Sequence, residues 1–167
     1  MSPNKVFSRP IAFNLIPQID VFVDEDSEQK DYTKEETKLI NETRKILHLP
    51  NLRVSATAVR VPVLVGHSEA VTIDFERPVT PEAAADALRN TPDVIVAGSR
   101  EAFPTPVEAT GKDPVYVGRI RRDASNPERG LVLWVVADNL RIGAALNAVR
   151  IAELLVQNSW LKPKALA

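Results

Sequence analysis

Apolar residues recur at helical spacing in three stretches of the chain. Thr33 stands three residues before Glu36, a capping-box spacing, and apolar residues follow at helical intervals, so we expect a helix at 34–47. A threonine-proline pair is typical of a helix start and predicts a second helix at 80–88. A stripe of small apolar residues predicts a third and longer helix at about 140–157.

Strand-like patterns lie between these helices, as β-branched runs or as alternating apolar and polar residues. The predicted strands are 52–64, 71–76, 93–97, 115–121 and 131–137, the last two forming a hairpin. The apolar run 11–16 is either a strand or a buried segment. Residues 98–113 contain two glycines and two prolines and are predicted to form a surface loop.

This order of elements predicts an α+β fold, with helices packed on one face of a mixed, mostly antiparallel sheet. A length of 167 residues is typical of one domain with a single core, so we expect one domain at 1–167. The tail at 158–167 contains a proline and is expected to fray.

Composition and charge narrow the classes of function. The net charge of −1, from 21 basic and 22 acidic side chains, gives no reason to expect nucleic acid or an anionic membrane as a partner. No apolar stretch approaches the roughly 20 residues of a membrane span, and residues 1–5 lack the apolar core of a signal peptide. We therefore expect a cytoplasmic protein.

The chain contains no cysteine and only two histidines, His48 and His67. Disulfides, thiolate metal sites and thiol nucleophiles are thereby excluded for this chain. The sequence also lacks the tight acidic cluster of a calcium loop. We therefore predict no metal site.

The stretch 59–69 carries an arginine and a histidine at the two ends of an apolar run. The guanidinium of Arg60 can hold a carboxylate bidentately, and the imidazole of His67 can move a proton near neutral pH. An unbroken strand would separate them by about 23 Å on opposite faces. They share a site only if the chain turns between them, which Pro62 and Gly66 permit. The alternative is a surface arginine and a structural histidine.

Three further residues are candidates with structural alternatives. Glu35 and Lys38 share a helix face and could receive an ammonium and a phosphate, or they form a solvated pair. Asn139 could offer its amide to a ligand, or it and Asp138 could cap the last helix. His48, at the end of the first helix, is interpreted as structural.

Several runs of residues resemble bacterial aspartate-semialdehyde dehydrogenases, in order and at the right spacing. The match extends from about residue 10 to residue 156. The runs include Gly66-His67-Ser68-Glu69-Ala70, together with residues 12–20, 41–46, 54–63, 117–122, 134–141 and 143–148.

The resemblance implies the carboxyl-terminal domain of a two-domain enzyme, shaped like that of glyceraldehyde-3-phosphate dehydrogenase. Such enzymes interconvert β-aspartyl phosphate and aspartate semialdehyde with NADP, on the route to lysine, threonine and methionine. By motif, His67 matches the acid/base histidine and Arg60 the arginine that holds the substrate carboxylate. Glu35 matches the glutamate facing the amino group, Lys38 a lysine near the phosphate, and Asn139 a contact with the nicotinamide end of NADP.

The resemblance also predicts what this chain does not do alone. In the family, the nucleotide-binding fold and the catalytic cysteine lie upstream of the matched region, so we expect no turnover and weak or no NADP binding by the chain itself. The family forms its dimer mainly through this half, and we expect a homodimer.

Two alternatives remain open. One is an interaction module that keeps the dimer surface without catalysis. The other is half of a related acyl-phosphate reductase, such as that for N-acetylglutamyl phosphate. Glu35 and Lys38 argue against the second alternative, because an acetylated amino group needs no carboxylate partner.

Overall fold

The structure, a computed structural model, describes residues 6–24 and 29–161. It forms two compact units, Met1–Pro62 and Val63–Ala167. The single domain at 1–167 expected from the sequence stays a prediction. Most of the expected frayed tail, residues 162–167, lies outside the described residues.

The first unit contains one helix, α1 (Lys34–Ile46), within its described residues. The amide of Glu36 donates to the hydroxyl of Thr33 at 3.3 Å, and the amide of Thr33 donates to the Glu36 carboxylate at 2.8 Å. This reciprocal capping box fixes the helix start where the sequence predicts it. The helix ends one residue earlier than expected, and His48 follows in a left-handed conformation with φ 55°.

The strand predicted at 52–64 is wrong. Exposure alternates over residues 52–60, as in an extended chain, but within the described residues this segment forms a single bridge, the antiparallel one between Arg60 and Ile16. Both backbone hydrogen bonds of that bridge form, at 2.9 and 3.1 Å. β-branched residues favour a strand only where a neighbour supplies cross-strand contacts, and Pro62 provides no amide for a ladder. For the apolar run 11–16, a strand and a buried segment were the two alternatives. In the structure only Ile16 of this run is buried.

The second unit is built on a four-stranded sheet in the order β1-β4-β3-β2. The pairs β1–β4 and β3–β4 are antiparallel, whereas β2–β3 is parallel. The strands are β1 (His67–Asp74), β2 (Val94–Val96), β3 (Val115–Arg122) and β4 (Gly130–Ala137). The predicted mixed, mostly antiparallel sheet of an α+β fold is therefore confirmed, and β1 begins earlier than expected.

Two helices pack against this sheet. Helix α2 (Pro81–Arg89) starts at Thr80, whose hydroxyl accepts from the Ala83 amide at 3.1 Å, and packs against β2 and β3. Parallel strands need a crossover connection, and the segment between β2 and β3 supplies it. That segment was predicted as a loop, but it contains the short helix α3 (Pro106–Ala109), which packs against β4.

The long helix predicted from residue 140 is wrong over its first turns. Helix α4 spans Leu146–Gln157, and the backbone of Ile142, Gly143 and Ala144 before it is not helical. The carbonyl of Asp138 accepts from the amides of residues 141 and 142, which forms a tight turn, and Gly143 then takes φ 83°. A left-handed glycine interrupts a right-handed helix, so α4 starts afresh after it.

The core of the second unit lies between the sheet and its helices. Leu131 and Val136 of β4 are 0% and 1% exposed, and Val117 of β3 and Ala109 of α3 are also buried. Strand β4 lies between β1 and β3 in the sheet, and none of its residues is exposed.

Replacing Leu131 with alanine tests this core. Loss of a fully buried leucine leaves a cavity and lowers the free energy of unfolding by about 2–5 kcal/mol. Urea denaturation of the whole chain measures the change. Leu64→Ala is the control, because Leu64 is fully exposed and its truncation costs roughly 0.5 kcal/mol or less. Equal effects of the two substitutions would contradict the assignment of the core.

Candidate functional site

His67 and Asn139 lie at the same end of the sheet in the second unit. His67 is the first residue of β1 and pairs in register with Ala137, the last residue of β4. Asn139 follows two residues later, and its Oδ1 accepts a hydrogen bond from the amide of Gly66 at 3.1 Å. The adjacent ends of the two strands thus carry an imidazole and a carboxamide.

The backbone at Gly66 makes this arrangement possible. Gly66 has φ 103°, and a Cβ at this position would lie 3.2 Å from the carbonyl oxygen of Ala137. A side chain would therefore be strained here and would crowd β4. Its amide stays close enough to bind Asn139, directly before the exposed His67.

Asp138 anchors the same strand end. It is 3% exposed, and its carboxylate accepts from the amide of Gly111 at 2.7 Å and from the amide of Leu140 at 2.9 Å. The hydrogen bond from Gly111 is the largest influence that lowers the pKa of Asp138 from its ordinary 3.8, whereas desolvation acts in the opposite direction. Asp138 thus remains ionised and holds the β4 end against the segment that follows α3.

The structure rules out the cap predicted for Asp138 and Asn139. Helix α4 starts at Leu146, and Ala145 is its N-cap residue. The oxygen of Asn139 is instead occupied by Gly66. Among the residues that the structure describes, its Nδ2 has no hydrogen-bond partner, which leaves an amide donor at this strand end.

In the first unit, Glu35 and Lys38 face the same side of α1. Their charged groups are 3.6 Å apart, with side chains 29% and 55% exposed respectively. An exposed pair of this kind contributes little to stability, about 0.3–0.5 kcal/mol. Both charges remain accessible to a ligand.

Glu36 connects α1 to the segment that carries Arg60. Besides the capping box, its carboxylate accepts from the amide of Ala58 at 2.9 Å, and the residue is 6% exposed. The spacing of Thr33 and Glu36 in the sequence indicates only the capping role of Glu36. Its second partner is 22 residues away, and no local spacing indicates it.

Arg60 is half-buried, and its guanidinium lies 5.1 Å from the centre of the Phe7 ring. The backbone of Arg60 forms an antiparallel bridge with that of Ile16, which fixes the position of the Arg60 Cα within the first unit. A cation–π contact leaves the edge of the guanidinium able to donate to a carboxylate.

The five predicted residues thus fall into two groups. Glu35, Lys38 and Arg60 belong to the first unit, whereas His67 and Asn139 belong to the second. The chain bends at Pro62 and again at residues 64–65, so no unbroken strand joins Arg60 to His67. Their convergence on one pocket stays a prediction.

Over residues 6–24 and 29–161, no cluster of three or more metal-ligating side chains occurs. Within the same ranges, none of the helices combines the length and the apolar character needed to cross a membrane.

Comparison with known proteins identifies the family to which this chain belongs. Residues 1–142 match the family described as "Semialdehyde dehydrogenase, dimerisation domain". An aspartate-semialdehyde dehydrogenase of Aquifex aeolicus is 52% identical over 157 residues, which is 93% of this chain and 44% of that protein. The chain thus spans a little under half the length of the curated relatives it matches and corresponds to their carboxyl-terminal part.

The chain is also similar to solved structures of aspartate semialdehyde dehydrogenases. The aspartate semialdehyde dehydrogenase II of Vibrio cholerae, complexed with ASA, has a TM-score of 0.81 and 50% identity, over 90% of this chain and 43% of that one. The Candida albicans enzyme, solved with NADP, has a TM-score of 0.68 and 28% identity, over 87% and 45% respectively.

The lowered pKa of Asp138 predicts a dependence of stability on pH. A carboxyl group whose pKa is lower in the folded state stabilises the fold above its unfolded pKa, about 3.8, and this stabilisation is lost as the pH falls through the folded pKa. Asp138→Asn should therefore lower the urea midpoint at about pH 6 and have a smaller effect at about pH 3.

The matched control for this substitution is Glu128→Gln, which removes a charge from an exposed position in the β3–β4 turn. It should change the midpoint little at either pH. If Asp138→Asn had the same effect at both pH values, the charge of Asp138 would not be what stabilises this strand end.

Proposed function

This chain belongs to the family of semialdehyde dehydrogenase dimerisation domains, and we propose that it is the carboxyl-terminal, substrate-binding part of an NADP-dependent aspartate-semialdehyde dehydrogenase. The reaction is the interconversion of L-aspartyl 4-phosphate and L-aspartate 4-semialdehyde, in the biosynthesis of lysine, threonine and methionine. The observation that carries the proposal is the hydrogen bond between Gly66 and Asn139, which sets an amide donor beside the exposed His67.

Three residues of the first unit anchor the substrate in this proposal. The guanidinium of Arg60 donates two hydrogen bonds to the substrate α-carboxylate and fixes its orientation. Glu35 faces the substrate ammonium, and Lys38 faces the phosphate. The 3.6 Å ion pair between Glu35 and Lys38 supports this assignment, because it holds both charges on one accessible helix face.

His67 is the acid/base residue. A thiol that attacks the substrate carbonyl must release its proton, and an imidazole can both accept and return a proton. The chain has no cysteine, so the thiol comes from the part of the enzyme that this chain does not cover, and the chain does not turn over alone.

Asn139 is the residue of this chain that contacts the cofactor in this proposal. NADP, when bound, supplies or accepts the hydride. The Oδ1 of Asn139 is fixed by Gly66, so its Nδ2 would be the donor available to hold the nicotinamide end of NADP. This donor fits the cofactor, and the remaining contacts with NADP belong to the nucleotide-binding half.

We propose that the protein is a homodimer through this domain, which the dimerisation-domain match supports. The cytoplasmic location expected from the sequence remains a prediction. A non-catalytic interaction module is the second candidate function, favoured by the absence of cysteine. The two candidates differ in whether a separately made amino-terminal half restores activity.

Reconstitution tests the proposal directly. We expect the whole chain to be inactive alone and to give phosphate-dependent reduction of NADP by aspartate semialdehyde when mixed with the amino-terminal part of the Vibrio cholerae enzyme. His67→Ala should lower kcat by about 10²–10⁴-fold in the mixture, because general acid–base catalysis is lost.

His48→Ala is the matched control, since it removes the other histidine from an exposed position and should leave kcat unchanged. Association of the two halves without turnover would favour the interaction module. Equal activity of the His67 and His48 variants would reject the assignment of His67.

Arg60→Lys tests the substrate anchor. Lysine keeps the charge but cannot form the bidentate pair, so we expect KM for aspartate semialdehyde to rise by roughly 10-fold or more. The pH profile of kcat should not move, because His67 is intact. Arg53→Lys, at an exposed position of the same extended segment, is the control. An unchanged KM in the Arg60 variant would remove Arg60 from the substrate site.

A further inference from the structure

Two side chains that flank Asn139 are bound to the same short segment, which follows α3. The carboxylate of Asp138 accepts from the amide of Gly111 at 2.7 Å. The Nε of Arg141 donates to the carboxylate of Asp113 at 2.5 Å. The chain is therefore tied to this segment both before and after Asn139.

The segment that follows α3 is itself held by the core of the second unit. The amide of Lys112 donates to the carbonyl of Ala109, a fully buried residue, at 3.0 Å. The Lys112 ammonium also lies 5.8 Å from the centre of the Tyr116 ring, on β3. The carboxylate of Asp113 is thus a partner whose backbone is fixed before the ion pair forms.

The chain beyond Arg141 has few other means of holding its position. Residues 142–145 have no polar side chain, so Arg141 is the last residue before α4 whose side chain can anchor the turn. The backbone of 142–144 is not helical. A Cβ added at Gly143 would meet no atom within 4 Å, so this part of the backbone is loosely surrounded. The turn that carries Asn139 depends on Arg141 at its far end.

The ion pair of Arg141 and Asp113 is too exposed to add much to the stability of the whole unit. The two side chains are 44% and 41% exposed, and exposed pairs contribute little to global stability. Asp113 is the largest influence that raises the pKa of Arg141, and Asp138 raises it further. The guanidinium therefore interacts with both carboxylates, and its effect is local to the turn.

We propose that Arg141 and Asp113 are positioning residues for Asn139. Their ion pair holds the turn at 138–141, so that Asn139 keeps its hydrogen bond with Gly66 and presents its Nδ2 to the nicotinamide end of NADP. This inference rests on the proposed function and adds to it two residues that act through Asn139 without touching the cofactor.

Direct binding of a cofactor phosphate by Arg141 is the competing interpretation, because a guanidinium is a good phosphate ligand. In the structure, however, the Nε of Arg141 is already bound to Asp113, and Asp138 acts on the same guanidinium. A cation that is paired within its own unit is a weaker ligand for a further anion. The geometry thus favours positioning over phosphate binding.

Hydrogen exchange of the Gly66 amide, followed by NMR in the whole chain, reports its bond with Asn139 directly. Asp113→Asn should lower the protection of this amide by about 3-fold or more, because the turn opens more often. The amide of Ala97, bound to the Val117 carbonyl at 2.8 Å, should keep its protection. Equal losses at both amides would indicate a general loss of stability and would reject the proposal.

Asp86→Asn is the matched control. It removes the carboxylate of another exposed ion pair, with Arg89 on α2, and should leave the protection of Gly66 unchanged. Arg141→Gln should act like Asp113→Asn, and the double variant should lose no more protection than either single variant. Additive losses would show that the two residues act separately and would overturn the pair.

Kinetics provide the second measurement, in the mixture with the amino-terminal part of the Vibrio cholerae enzyme. Asp113→Asn should raise KM for NADP by roughly 3-fold or more. KM for aspartate semialdehyde and the pH profile of kcat should not move, because Arg60 and His67 are intact. If Arg141→Gln raised KM for NADP and Asp113→Asn did not, Arg141 would contact the cofactor directly and the positioning role would be rejected.

Exchange and activity fail independently. Unchanged protection of Gly66 in both variants would overturn the positioning pair whatever the activity. Lower protection with an unchanged KM for NADP would retain the hold on Asn139 and reject its contact with the cofactor, which belongs to the proposed function. An inactive mixture would reject the proposed function alone, because the exchange measurement needs no turnover.

Discussion

The β1–β4 register is the constraint on which the second unit depends. Eight consecutive residue pairs, from His67 with Ala137 to Asp74 with Gly130, align the two strands without a slip. A shift by one residue would reverse the faces of all side chains on β1 and separate His67 from the end of β4. The hydrogen bond from Gly66 to Asn139 and the two amides bound by Asp138 fix this register at the end that carries His67. The positions of His67 and Asn139 and the sheet of the second unit are therefore stabilised by the same contacts.

In the first unit, one buried carboxylate has a comparable role. Glu36 accepts from Thr33 and from Ala58, so the start of α1 and the extended segment before Arg60 share one acceptor. Losing either donor would leave a buried carboxylate only partly satisfied, which costs more than the hydrogen bond itself contributes. This coupling keeps the helix face that carries Glu35 in a defined position relative to the backbone of Arg60.

Sequence patterns predicted the elements whose determinants are local. The capping box at Thr33, the Thr80-Pro81 helix start and the β3–β4 hairpin depend on neighbouring residues, and each appears near its predicted position. The strand predicted at 52–64 is wrong because strand formation needs a neighbouring strand to pair with, which composition does not reveal. The contacts of Asp138 with Gly111 and of Glu36 with Ala58 join residues distant in sequence, so spacing alone could not predict them.

The helix predicted from residue 140 starts only at Leu146, and the reason for this difference is another one. Apolar periodicity indicates that one face of a helix is to be covered, but it does not specify which surface covers it. The periodic pattern extends back through Ile142, whereas the turn at Asp138 and the left-handed Gly143 interrupt the helix. After this interruption, Arg150 of α4 pairs with Asp93, whereas Val149 and Val156 are exposed. An apolar face that stays exposed while a charged residue of the same helix makes the contact is therefore not predictable from periodicity alone.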